Sequence, residues 1–328
     1  MRTFWLNFHL GYACRDSGAC CSAGWPIPVE RDRVIPIRSL AARADDTWLV
    51  PVANAPDEVA GTLAMRPNGE CTFFRIPTSG ALPTSSALPT SGALPTVAGC
   101  AVHPARPSSC AHFPYVCLID ARGVHVTLSH YCPTAASMLF ADHGPVAIVE
   151  GPPPVPGVEI PEGLDARESL PPLESANRLM TFEAFSEWER AEAGRMTGSD
   201  DAPPSAELFE QARRAVPAPW SWPPAPLALD AQWAARVAPE WPQFAAVILR
   251  YRAAKIFASW AAYQGDGLAA VVRVAETAVA VLKAEAVRQC VRAGRALDAE
   301  LLKGAIRQAD LLLVHYADGR VLSSGTSS

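Results

Sequence analysis

Nine cysteines are spread unevenly along 328 residues: eight lie between positions 14 and 132, and Cys290 stands alone. The stretch YACRDSGACCSAGW supplies Cys14, Cys20 and Cys21. The stretch GCAVHPARPSSCAHFPYVC supplies Cys100, Cys110 and Cys117, with Cys71 between the two and Cys132 after them. Thiolates are the soft donors that zinc and iron–sulfur centres require, and four of them close a tetrahedral zinc site or a [4Fe–4S] cluster. The eight candidate ligands Cys14, Cys20, Cys21, Cys71, Cys100, Cys110, Cys117 and Cys132 therefore suffice for one site with four to spare, or for two sites. Neighbouring side chains diverge, so the adjacent pair Cys20–Cys21 implies two ligand sets, or one ligand beside one structural thiol. The rival readings are a disulfide framework and scattered buried cysteines. A reducing compartment disfavours the first.

Other residues near the cysteines are read more plainly. His103, His112 and His130 are taken as polar surface or outer groups, because thiolates already abound. Arg106 either offsets the charge that several thiolates accumulate, or holds a carboxylate as a structural ion pair. Phe113–Pro114 is expected to turn the chain beneath the site. Cys290 falls on the apolar face of a helical pattern, with Leu268, Val271, Val272, Ala275, Val279, Leu282 and Ala286, and is read as a core residue.

The elements that must position these residues fall into two styles, and the fold class expected is α+β: a small irregular cysteine-cluster domain with a β-hairpin, then a mostly helical domain. The first spans 1–150. Within it a helix is expected over 28–44, a hairpin over 116–128, where Val124, Val126 and Leu128 alternate with His125 and Thr127, a short helix over 132–142 and a strand over 146–150. Residues 151–173 are too rich in proline and glycine for a helix or central strand and read as a linker. The helical domain is expected over 174–320, with helices over 174–195, 205–215, 229–237, 240–263, 266–293 and 298–316, and a disordered tail over 321–328. Trp220, Trp222, Trp233 and Trp241 are expected to be packing anchors between these helices rather than a ligand cage. Between Cys71 and Cys100 three near-identical hexads, SGALPT, SSALPT and SGALPT, occupy 79–96. Their composition lacks helical or strand periodicity and reads as a loop insertion, which costs little closure entropy.

Composition excludes several function classes. A net charge of −5 argues against a broad nucleic-acid surface. The N-terminus carries no leader-like apolar run, and the most apolar later stretch, 267–282, contains Arg273 and Glu276. A cytoplasmic location with no membrane partner is the expectation.

The order of motifs resembles the YkgJ-type cysteine-cluster proteins, whose signature is CxxCxxCC followed by a block ending RPxxCxxFP. CRDSGACC matches the first part, and Cys100, Arg106, Pro107, Cys110, Phe113 and Pro114 match the second. CCSAGW and CPTAA, with the tail AIRQADLLLVHYADGRVL, are similar to the flagellin lysine-N-methylase (FliB-like) branch. Ser17 stands where the pattern has a cysteine; either the site has one ligand fewer, or Cys117 or Cys132 completes it. The resemblance implies a zinc or iron–sulfur (4Fe–4S) centre. For the methylase branch it also implies S-adenosylmethionine and a substrate protein presenting lysines. The sequence has no glycine-rich strand-to-helix loop of the dinucleotide-binding type and no CxxxCxxC motif. Two functions follow: a metal-binding module, or an iron–sulfur-dependent protein lysine N-methyltransferase.

Overall fold

The computed structural model describes residues 1–41, 45–75, 99–175, 177–196 and 202–323. The hexads at 79–96 lie outside the described residues. In chain order the elements begin with strand β1 (Thr3–Leu6), β2 (Pro28–Glu30), helix α1 (Arg31–Ala41), β3 (Leu49–Val50), β4 (Val59–Leu63), β5 (Phe74–Arg75) and β6 (Gly99–Cys100). There follow α2 (Ser108–His112), β7 (Tyr115–Asp120), β8 (Gly123–Leu128), α3 (Pro133–Met138), β9 (Ile148–Glu150), β10 (Leu164–Asp165), β11 (Leu173–Ser175) and β12 (Arg178–Leu179). The remainder is helical: α4 (Phe182–Ala193), α5 (Ala206–Arg214), α6 (Leu229–Arg236), α7 (Ala245–Ile256), α8 (Ala261–Gln264), α9 (Leu268–Ala293), α10 (Ala299–Asp310) and α11 (Gly319–Ser323). The described residues are thus α+β. No helix among them is long and apolar enough to cross a membrane.

Contacts divide the chain into two units, Ala13–Phe113, and Met1–Tyr12 together with Pro114–Ser328. In the first, β4 pairs antiparallel with both β2 and β3, and β5 pairs antiparallel with β6. The helix expected over 28–44 starts only at Arg31, because Pro28–Glu30 pairs with β4 as a strand. Its core is Ile27, Val29, Ile37, Trp48, Leu63, Phe73 and Val102, with Cys21 and Cys71 buried among them.

The second unit contains a five-stranded sheet ordered β10-β7-β8-β1-β9. The expected hairpin is β7–β8, in register from Tyr115↔Leu128 to Asp120↔Gly123. Gly123 has φ 141°, and a Cβ there would stand 2.6 Å from the Arg2 carbonyl oxygen, so the turn tolerates only glycine. Expected alternation gives way in β8 to burial of all six residues. β1 pairs parallel to its edge, and Thr127 donates to the Ala254 carbonyl of α7, so the face that alternation left polar is covered by that helix. The stretch read as a linker supplies β10, parallel to β7.

Residues 174–175 and 177–181 are not helical: Leu173 pairs with Leu179 across two short strands, and the Thr181 hydroxyl accepts the Ala184 N–H to start α4. The helix expected over 240–263 is broken, because Phe257 turns extended and Ala258 takes φ 58°. The one expected over 298–316 ends as α10 at Asp310 and widens into a π-helical segment, Leu311–Tyr316. The first residues of the expected tail belong to α11, where Leu322 and Ser323 are buried. α9 is the central helix of this unit, and Leu268, Val271, Ala275, Val279, Leu282, Ala286 and Cys290 are all buried. It begins after Gly267, where a Cβ would stand 2.0 Å from the Leu173 carbonyl oxygen.

Beside α10 lies a buried polar cluster. The Asp310 carboxylate accepts from Lys255 Nζ at 2.6 Å, the Tyr251 hydroxyl at 3.0 Å, the His130 N–H at 2.6 Å and His130 Nδ1 at 3.0 Å. Burial pushes its pKa up, but the Lys255 charge and the His130 hydrogen bond outweigh this and hold it below the usual carboxylate range. A depressed folded-state pKa stabilises fully above the unfolded value of about 4, and that contribution is lost as pH falls further. Replacing Asp310 by Ala strands a buried ammonium and should cost about 3–5 kcal/mol. Urea denaturation at pH 7 measures the loss, and the difference between wild type and variant should shrink as the pH is lowered below about 4.

Candidate metal centre

The site is built in the unit Ala13–Phe113. Asp16 (φ 54°) and Gly18 (φ 71°) turn the chain into a short 3-10 turn, Ala19–Cys21. A Cβ at Gly18 would lie 2.2 Å from the Phe74 ring, so glycine is required for this close approach. Ser17, the departure from the family pattern, is exposed in that turn. The Cys71 N–H donates to the Cys21 carbonyl at 2.7 Å, tying the first block to the middle cysteine. Three residues on, β5 begins and pairs Phe74 with Cys100 of β6. The Ala101 N–H donates to the Phe73 carbonyl at 2.9 Å, and the Cys100 N–H donates to Asp16 Oδ1 at 3.2 Å. Cysteines far apart in sequence are thus fixed by backbone hydrogen bonds.

The result gathers four thiols. The nearness of Cys100, Cys20 and Cys71, together with burial, pushes the Cys21 pKa up so that it keeps its proton. The nearby Cys21 thiol is the largest cause of a lowered pKa in each of the other three. Cys71 falls to about 7. The Phe73 backbone N–H also points at Cys71 Sγ, at 3.5 Å. The Arg106 charge lowers Cys20 further, which is the first of the two roles considered for that arginine. Cys110 lies beside the four. Burial raises its pKa, and the neighbouring charges of Cys20, Cys100 and Cys71 raise it more.

The remaining candidates have other surroundings. Cys14 is exposed, and its sulfur accepts the Asp16 N–H at 3.4 Å. Cys117 and Cys132 belong to the other unit. Cys117 is fully buried on β7, and burial, then the Glu162 charge, pushes its pKa up to about 12. Cys132 precedes α3 and contacts the Tyr12 hydroxyl at 3.4 Å. Cys290 is a buried core residue of α9. The His103 ring meets Arg106, His112 Nδ1 lies 3.1 Å from the Ser108 carbonyl, and His130 pairs with Asp310. Phe113 ends α2 in an extended conformation before Pro114, and its ring lies 5.8 Å from Trp25. Sequence reasoning passed over Asp16, Gly18 and the Phe73 amide; the dipeptide-like turn signal SG before ACC was the available clue to the first two.

Among the described residues no group of three or more His, Cys, Asp or Glu side chains stands ready-made around one point. The thiols gather without converging, each with a single side-chain torsion by which its sulfur turns. As a donor set they fit a soft cation: the ligand form of cysteine is the thiolate, and three of the four have environments that favour it.

No family model matches the chain, and neither a curated protein nor a solved structure matches it.

Because the nearby Cys21 thiol is the main cause of the lowered Cys71 pKa, Cys21→Ala in metal-free, reduced protein should move the Cys71 titration from near pH 7 toward that of an ordinary thiol, about 8.5. Thiolate absorbance in the ultraviolet, followed against pH, reads this directly. An unshifted curve would take Cys21 out of that role.

Proposed function

We propose that the unit Ala13–Phe113 is a metal-binding module in which Cys20, Cys21, Cys71 and Cys100 hold a zinc ion or an iron–sulfur centre. The observation that carries this reading is that the Cys71–Cys21 backbone bond and the β5–β6 pairing bring Cys20, Cys21, Cys71 and Cys100 near one another, with three of the thiols biased toward thiolate. Isolated buried thiols behave oppositely: burial raises their pKa, as at Cys117 and Cys290. Arg106 supports the reading by supplying positive charge where thiolates accumulate. Zinc bound here would contribute folding energy; an iron–sulfur centre would supply one-electron chemistry.

The chain's own residues do the rest. The Cys71 amide bond to Cys21 and the β5–β6 pairing keep the sulfurs together, and the core around Trp48 and Phe73 keeps water from Cys21 and Cys71. Binding displaces the Cys21 proton, so affinity should fall as pH is lowered. Lysine methylation, the activity implied by the resemblance to the methylase branch, rests on the sequence motifs alone.

Elemental analysis of anaerobically purified protein tests the proposal, alongside its visible absorption. Cys71→Ser and Cys100→Ser should each lose most of the bound metal and lower the thermal midpoint, because binding and folding of such sites are coupled. Cys290→Ser should retain full loading. Full loading in both of the first two variants would remove these cysteines from the ligand set.

A further inference from the structure

Trp233 and Trp241 are the packing anchors expected of them, 3% and 1% exposed with ring centroids 5.1 Å apart. Trp220 and Trp222 depart from that expectation. Trp220 is 42% exposed and Trp222 half-buried, and with Tyr316 they wall a cavity of about 230 Å³. The Tyr316 ring lies 5.3 Å from that of Trp220 at 67°, and 6.1 Å from that of Trp222 at 47°. Tyr316 is the last residue of the π-helical segment Leu311–Tyr316. Such segments are rare, and they occur frequently at functional sites. The Trp222 indole N–H donates to Glu285 Oε1 at 3.2 Å, which fixes the plane of its ring.

The charges in the cavity do not cancel. Glu285 is buried, and its carboxylate meets Arg288 Nε at 3.1 Å, so that pair is neutral. Arg292 lies one turn further along α9, is exposed, lines the same cavity and makes no ion pair with an acid among the described residues. One positive charge therefore remains beside three aromatic rings. That combination disfavours a cationic guest. It suits a flat ring that lies against indole and phenol faces while an attached anion meets a guanidinium. The volume is below the ~300–1,000 Å³ of sites for drug-sized ligands, which limits the guest to one or two fused rings.

We propose that this cavity binds a small aromatic anion: a planar one- or two-ring group carrying a carboxylate or a phosphate. Trp220, Trp222 and Tyr316 take the ring, and Arg292 takes the anion. Neither role depends on metal in the cysteine cluster.

Isothermal titration of the full chain tests this with indole-3-acetate as the aromatic carboxylate and adenosine monophosphate as the aromatic phosphate. Indole and inorganic phosphate serve as the two halves. At least one aromatic anion should bind saturably, about tenfold or more tighter than either half, and the tighter of the two identifies the anion. Arg292→Gln and Trp220→Ala should each weaken it about tenfold. Both side chains are exposed, so the thermal midpoint should not change. The proposal is overturned if neither anion binds at millimolar concentration, if indole binds as well as indole-3-acetate with no phosphate preference, or if both variants bind like wild type.

Discussion

A buried sulfur that keeps its proton, surrounded by three that are biased to lose theirs, concentrates negative charge in a place with little water. Each additional thiolate raises the cost of the next, as Cys110 illustrates: its pKa is pushed up by burial and by the three neighbours. Two things relieve this, the protonated Cys21 thiol close by and the nearby Arg106 charge. A divalent cation or a cluster in place of the proton would relieve it far more, because the attraction acts on all four sulfurs at once.

The small unit is organised around that constraint. Its strands are short, two to five residues each, and its apolar core is modest. Cys21 and Cys71 are members of the core, not additions to its surface. Small domains with limited apolar burial commonly depend on a metal for part of their stability. The larger unit needs no such aid: a 26-residue central helix with most of its residues buried gives it an ordinary hydrophobic core. Its unusual feature is polar, the Asp310 cluster. A carboxylate with no exposure there receives four hydrogen bonds, enough to keep it ionised.

Local patterns were legible in the sequence. The β7–β8 hairpin shows as two apolar runs about a glycine turn, and α9 shows as apolar spacings of three and four ending at Gly294. Interactions between distant residues were not. Nothing in TFWL signals that β1 lies parallel to β8, a pairing more than a hundred residues away. Nothing around Ala258 signals that its φ is positive and the helix ends before it. The cysteine blocks raised soft-metal chemistry as an expectation but did not show which sulfurs come together. That selection is made by the Cys71 N–H to Cys21 carbonyl bond and by the pairing of Phe74 with Cys100 across the hexads. The tryptophans divide the same way: identical residue types in one proline-rich stretch, two sealed in the core and two facing a cavity.

The claim on which this account stands is that one centre is held by sulfur alone, from Cys20, Cys21, Cys71 and Cys100. X-ray absorption at the edge of the bound metal, on intact protein purified without oxygen, measures it most directly. A first shell of about four sulfurs is expected, near 2.3 Å if the metal is zinc. A shell containing nitrogen or oxygen donors, or protein that takes up no metal when reduced and supplied with zinc or with iron and sulfide, would contradict it.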